Sequence, residues 1–529
     1  MLFNETVYKL RAKVGISQEK LAEALSVSRQ AIQKWESGAS MPDIENLVAI
    51  AKFFDVSVDY LLSGIDSRDT ELLRITHNTL PTYSKQPTWE AYFKQIPIEY
   101  RQCLDEGKDI SVYEKFFDAV NSMPDTPEKD DAANIIFRIV ENAPLVRNYK
   151  YSEPSELDKI FELGDGYKCE GKAPEGDALL DKIHGGWLGR ICGCLLGKPV
   201  EGIHKGTLDC ILKRTGNYPL HRYLNREEMT EEVCEGLSFP INKRAYPKDY
   251  LAMPVDDDTN YIVIGYRIIK DYGREFTAAD VASAWLKLQP KDAYCTAERV
   301  AFRNFVNGYL PPASAHYKNP YREWIGAQIR GDYFGYINPC NPKTAADMAF
   351  RDASISHVKN GIYGEMWASA MIACAFGSDD IKSVIRGGLA YVPKTSRLYE
   401  AVNKIIEYYD SGMSYDDCMN DIRTRWNEAN GHDWCHTISN AEIVTMALLW
   451  GERDYGKTIC MAVTPGFDTD CNAATAGSVL GVLLGAAALP TEWTAQVGDT
   501  LHTSIFGVGT VSISEMAKKT LDHLAKEEE

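Results

Sequence analysis

The residues best suited to chemistry fall in two short acidic clusters far apart in the chain. Near the end runs Gly466-Phe467-Asp468-Thr469-Asp470-Cys471-Asn472, two carboxylates one residue apart, followed by a run of small residues over 473–488. Upstream, Asp256-Asp257-Asp258-Thr259 leads into the apolar stretch Tyr261-Ile262-Val263-Ile264. Three adjacent carboxylates make an odd solvated helix face, but they make sense as ligands of hard, oxygen-seeking cations. Asp470 suits the N-cap or first turn of the helix that the small residues predict, where unsatisfied N–H groups and the helix dipole favour an ionised carboxylate.

The elements that must position these groups are legible as patterns. Over 180–197, glycines at 185, 189, 193 and 197 recur every four residues and form one smooth stripe along a helix. Each glycine costs about 1 kcal/mol of helix propensity, tolerable only where another backbone packs closely. Lys198-Pro199 ends this helix and Glu201 follows, by itself a loop carboxylate. The run over 473–488 reads as a tightly packed buried helix. Between the clusters stand Arg330, His357, Gly361 and Gly364. Arg330 can pair with phosphate or with a core acid, His357 can touch a substrate or simply hold a helix end, and the two glycines can let a diphosphate approach backbone amides. The loop Asn430-Gly431-His432-Asp433-Trp434-Cys435-His436 offers His436 and Trp434 as rim residues.

The start of the chain is different in kind. Helices are predicted over 3–14, from 17 onward through Leu21 and Leu25, over 29–36, 43–54 and 56–62, punctuated by Gly15, Gly38 and Pro42. Two short helices joined by a tight turn place Ser28, Arg29, Gln30, Gln33 and Lys34 on or near the outer face of the second, with Gln18 opening the first. Amide side chains can read base edges, while Arg29 and Lys34 can hold phosphate. The run from Ser17-Gln18-Glu19-Lys20 through Val27-Ser28-Arg29-Gln30-Ala31-Ile32-Gln33-Lys34-Trp35-Glu36 to Pro42-Asp43 resembles the Cro/repressor-type helix-turn-helix family. That resemblance implies DNA as a partner and a homodimer on a pseudo-palindromic operator. Residues 1–64 carry seven Lys/Arg against eight Asp/Glu, so the module has no basic excess.

Composition bounds the rest. At 529 residues the chain predicts two or three domains. A net charge of −18 argues against nucleic-acid binding by the whole surface, though not by one small module. Thirteen cysteines without CxxC spacing are the usage of a reduced cytosolic chain. The first residues lack a signal-peptide build, and the apolar run over 475–490 is too short to span a bilayer. A soluble cytoplasmic protein with no membrane partner is expected. Domains are expected over 1–66 (helix-turn-helix), 67–175 (helical linker or extension, with helices over 67–79, 89–107, 110–121 and 130–142 and a hinge at 151–157 and 164–174) and 176–529.

The large domain resembles the ADP-ribosylglycohydrolase family. The glycine stripe ending in Gly197-Lys198-Pro199-Val200-Glu201-Gly202, then Asp256-Asp257-Asp258-Thr259, then Arg330, Asp352-Ala353-Ser354-Ile355-Ser356-His357 and Gly361-Ile362-Tyr363-Gly364, and finally Gly466-Phe467-Asp468-Thr469-Asp470-Cys471 follow the family's order. The resemblance implies an all-α bundle, two Mg²⁺ ions and cleavage of ADP-ribosyl conjugates. It makes Asp257, Asp258, Asp468 and Asp470 metal carboxylates, with Asp256 and Cys471 beside them, and Glu201 the residue assisting the chemistry. His357, Gly361, Gly364, Arg330 and His436 are then substrate-binding. Two departures stand out. Cys194 replaces a frequent aspartate, and Cys471 a frequent metal-binding threonine, although thiol is a poor partner for Mg²⁺. Two ions about 3.5–4 Å apart can activate a bridging water and hold a ribose diol. A transcription regulator that senses an ADP-ribose-type nucleotide without turnover stays open beside the enzyme.

Overall fold

The computed structural model describes residues 3–56, 58–63, 90–237 and 241–524, which divide between two compact units, residues 1–85 and 86–529. The helix expected over 67–79 lies outside the described residues. Helices dominate both units; among the described residues the regular strands are one hairpin, Thr500–His502 with Thr510–Ser512.

In the first unit five helices, Phe3–Val14, Gln18–Ala24, Arg29–Glu36, Ile44–Phe54 and Val58–Ser63, enclose Val7, Leu21, Ile32, Trp35, Ile50 and Leu61. Three begin on side-chain caps: Ser17, Ser28 and Asp43 accept from the N–H groups of Lys20, Ala31 and Asn46 at 3.2, 3.2 and 2.8 Å. Arg11 forks onto Glu36 at 2.5 and 2.9 Å, and Gln18 Nε2 donates to the same carboxylate at 2.7 Å. These bonds fix the angle between the first, second and third helices.

The second unit includes the region expected as a linker from Glu90 onward. Its helices Tyr92–Asp105, Glu114–Asn121 and Pro127–Val140 share a small core of Ile96, Phe117, Ile136 and Phe137. Buried charges then join them to the rest of the unit. Arg322 donates to Glu99 at 2.6 Å and Glu106 at 2.5 Å, Gln102 donates to Glu323 at 2.7 Å, and Asp105 meets His432 Nε2 at 3.0 Å. Breaking a buried pair of this kind costs about 3–5 kcal/mol, so these residues belong to the body of the unit. The stretch expected as a hinge at 151–157 is likewise tied down, because Glu153 receives Arg397 at 2.8 Å and Pro154 O accepts from Tyr363.

The centre of the unit is the pairing of Gly176–Gly197 with Thr469–Leu484. A Cβ on Gly185, Gly189 or Gly193 would run into the carbonyl oxygen of Gly481, Gly477 or Ala473, and on Gly197 into the backbone of Thr469 and Asp470. The two backbones therefore touch along the whole stripe, and the contact ends beside Asp470. Gly189→Ala is expected to destabilise the unit by about 1–3 kcal/mol, since backbone cannot yield as a side chain can. An unchanged thermal midpoint would contradict the close approach.

Candidate active site

Each acidic motif is placed by its own local device. Before the first, Met253 N–H donates to Thr500 O at 2.8 Å and Met253 O accepts from His502 N–H at 3.0 Å, pinning the strand-like lead-in to the hairpin. Asp256 then caps the helix Asp257–Tyr272, its Oδ1 accepting from Asp258 N–H at 2.9 Å. Before the second, Gly466 and Phe467 both adopt left-handed backbone, φ +80° and +61°. That turn is strained for phenylalanine, and it delivers Asp468 to the start of Thr469–Leu484 with Asp470 in its first turn.

Glu201 follows the short turn Lys198–Val200 that closes the glycine helix. Glu201, Asp256, Asp257, Asp468, Asp470 and Cys471 all line one cavity of about 670 Å³. Asp258 lies just beneath, fully buried. Arg190, also fully buried, donates to Asp258 Oδ1 at 2.8 Å, Asp258 O at 2.9 Å and Asp332 at 2.9 Å. Cys471 Sγ donates to the other oxygen of Asp258 at 3.1 Å, and Cys435 Sγ to Asp468 Oδ2 at 3.1 Å.

The electrostatics show what this crowding demands. Burial, reinforced by Asp256 and Asp470, pushes Asp257 up to about 7. Burial likewise raises Asp258, Asp468 and Asp470, and the charge of Asp470, followed by burial, lifts Glu201 well above the usual carboxylate range. Such a set calls for cations. It also offers them a seat: Asp470 Oδ1 is buried without a hydrogen-bond partner. The ligand atoms of Asp468, Asp470 and Cys471 lie within 4.8 Å of one another, as do those of Cys194, Asp256, Asp258 and Asp470. Oxygen donors of this kind fit a hard divalent ion.

Residues 175–528 match the ADP-ribosylglycohydrolase family. The chain belongs to that family. Residues 7–61 match the helix-turn-helix family. Over 64 residues the chain is 55% identical to the HTH-type transcriptional activator BcrR of Enterococcus faecalis, covering 12% of this chain and 31% of that protein. Over 63 residues it is 36% identical to the SPbeta prophage-derived HTH-type transcriptional regulator YonR of Bacillus subtilis, covering 12% and 58%. The matched stretch thus spans less than two thirds of either relative. A solved structure titled "ADP-ribosylglycohydrolase-related protein complex" aligns with TM-score 0.40 and 18% identity, over 65% of this chain and 96% of that one.

Within this glycohydrolase domain the other expected site residues lie apart from the cavity. Arg330 is buried one layer below it, bonded to Asp352 at 2.5 Å and Glu298 at 2.8 Å, its guanidinium 5.0 Å from the Trp285 ring. His357 is buried, with Nδ1 at 2.8 Å from Ser356 Oγ, and burial together with Arg330 holds its pKa well below the usual histidine value. Gly361 and Gly364 are packing glycines: a Cβ there would meet Arg322 O and Thr437 Oγ1. His436 caps Thr437–Trp450, accepting from Ile438 N–H at 3.1 Å, and stacks on Trp426. Asp256 reaches the cavity, but both its oxygens are engaged, one by Asp258 N–H and one by Lys198. Trp434 does form wall, standing between this cavity and a neighbouring one of about 200 Å³.

Sequence reasoning missed Lys198, Cys435 and Glu298, which also line the cavity. Lys198 was legible only as a helix stop. Cys435 lies in the loop singled out for His436 and Trp434, and nothing local marks Glu298. On the helix-turn-helix, Arg29, Gln30, Gln33 and Lys34 are exposed, Ser28 serves as the cap, and Gln18 is bonded to Glu36. No described helix is long and apolar enough to cross a membrane.

Proposed function

We propose that the large domain hydrolyses the glycosidic bond of ADP-ribosyl, or related ribosyl, conjugates with the help of Mg²⁺, two ions on the family resemblance, and that the first module brings this activity to DNA. The observation that carries the reading is the convergence of Glu201 with Asp257, Asp468 and Asp470 on one cavity. Bound divalent ions there supply charge neutralisation and a polarised water. Glu201 is the proton-transfer group, taking a proton from the attacking water or giving one to the leaving group as an oxocarbenium-like state forms. Arg190 holds Asp258, and the glycine contact holds Asp470, so the carboxylates keep their spacing. Turnover of ADP-ribosylated peptides and free ADP-ribosyl compounds, with and without Mg²⁺, tests the reading; no turnover of any of them would defeat it.

A second reading, a regulator that senses an ADP-ribose-type nucleotide without hydrolysing it, is favoured by one feature. Thiols of Cys471 and Cys435 occupy two of the carboxylates where oxygen ligands would serve a hard ion better. The regulator relatives matched by the first module support DNA as its partner, and pairing of two half-sites by a dimer is expected of such a module. Gln33→Ala is expected to cost about 1–3 kcal/mol on the preferred site and relax its sequence preference. Lys34→Ala should weaken binding to all sequences alike and flatten its salt dependence. Titration of specific and random duplexes at several salt concentrations separates the two, and equal effects on both duplexes from Gln33→Ala would remove it from base reading.

A further inference from the structure

Resting on the reading of this cavity as a cation-dependent hydrolytic site, and departing from it only in the number of ions, we propose that Lys198 takes the place of the second cation, so that the domain takes a single divalent ion. Lys198 closes the glycine helix, one turn after Cys194 and three residues before Glu201. Its ammonium donates to Asp256 Oδ2 and lines the same cavity as Asp470. The first of the two ligand groups, Cys194, Asp256, Asp258 and Asp470, therefore already holds a positive charge.

Two of its carboxylates are occupied too. Asp256 Oδ1 is the helix cap, and Asp258 is held by Arg190 on one oxygen and by Cys471 on the other. What is left open is Asp470 Oδ1, buried and unpartnered, on a residue that the second group shares with Asp468 and Cys471. Asp257 lines the same cavity from the facing helix. One divalent ion fits there. An ammonium neutralises carboxylates and fixes their orientation, but it has no open coordination position and cannot activate water. Lys198 accordingly positions the acid cluster, while the single ion and Glu201 are left with the chemistry.

The test uses the full-length chain, stripped with chelator and titrated with Mn²⁺ alone, read by bound-ion stoichiometry and electron paramagnetic resonance. Wild type should bind one ion per chain with the spectrum of isolated Mn²⁺. Lys198→Ala should bind two, with the spectrum of an exchange-coupled pair. Lys198→Gln, which keeps most of the side chain's bulk and its polarity without the charge, should do the same and covers the case in which the alanine variant fails to fold. Two ions on wild type, or one ion on the folded variants, overturns the proposal. No ion on wild type overturns the cation-dependent reading beneath it, a different result from either.

Discussion

Glu201→Gln is expected to slow hydrolysis by about 10²–10⁴-fold while leaving divalent-ion affinity and KM near their wild-type values. The amide keeps the shape and the hydrogen-bonding length of the side chain and removes only its ability to exchange a proton. The position of Glu201 explains why this should matter. It stands in the cavity wall directly after the turn that ends the glycine helix, and the charge of Asp470 is the largest influence holding its proton on. A cation bound beside Asp470 cancels that influence and lowers the pKa of Glu201 toward working pH. Ion binding should therefore release protons, and less so in Glu201→Gln. Titration calorimetry in buffers of different ionisation enthalpy measures the release. Equal loss of ion affinity and rate would make Glu201 a ligand, and unchanged turnover would make it a wall residue.

Asp470→Asn should abolish both divalent-ion binding and turnover, yet leave the ion-free protein more stable than wild type. Asp470 belongs to both ligand groups and owns the one carboxylate oxygen of the acidic motifs that is buried without a partner. Its charge also raises the pKa values of Glu201, Asp257, Asp258 and Asp468. The pH dependence follows from the sign of those shifts. Asp257 titrates at about 7 folded against 3.8 for an unperturbed aspartate, so its protonated form favours the folded state. That contribution is complete below about pH 4 and is lost as pH rises through 7. Chelated wild type should thus lose stability across this window by about 1.4 kcal/mol per pH unit for each such carboxylate. Asp470→Asn should show a shallower decline, and saturating Mg²⁺ should largely remove it from wild type. Thermal melts from pH 4 to 8, with chelator or with Mg²⁺, read all three. Undiminished Mg²⁺ binding in Asp470→Asn would sink the assignment.

What the sequence disclosed depended on whether the cause was local. The glycine period at 185–197 states the need for a touching backbone without saying whose, and the structure supplies Thr469–Leu484. Helix starts at Ser17, Ser28 and Asp43 were readable because a cap lies within three residues of the group it satisfies. The acidic motifs stood out because clustered carboxylates conflict with burial unless something neutralises them. By contrast, Arg330, His357 and His436 look like substrate contacts in the chain, since their partners Glu298, Ser356 and Trp426 give no sign of being partners until the helices pack. The same holds for the extension: Glu99 and Glu106 are tied into the large unit by Arg322, and Glu106 by Lys359 as well, all more than two hundred positions away. Lys198 escaped notice because a lysine before proline reads as a helix end wherever its ammonium goes.

The glycine contact also sets an order of events in time. The side-chain bonds given above for the first module join residues at most 25 positions apart, so they can form while the ribosome is still at work. The pairing of Gly176–Gly197 with Thr469–Leu484 cannot begin until the second helix emerges. At about 5–20 residues per second, roughly 20–80 s separate completion of the helix-turn-helix from the first moment at which Asp470 can meet Glu201. For the last roughly 14–55 s of that interval, after residues 176–197 have been made, the glycine stripe has no partner helix and is open to chaperones and proteases. A nascent or prematurely ended chain would therefore carry a finished helix-turn-helix module without the acidic cavity, and synthesis rate becomes a variable that separates the two modules.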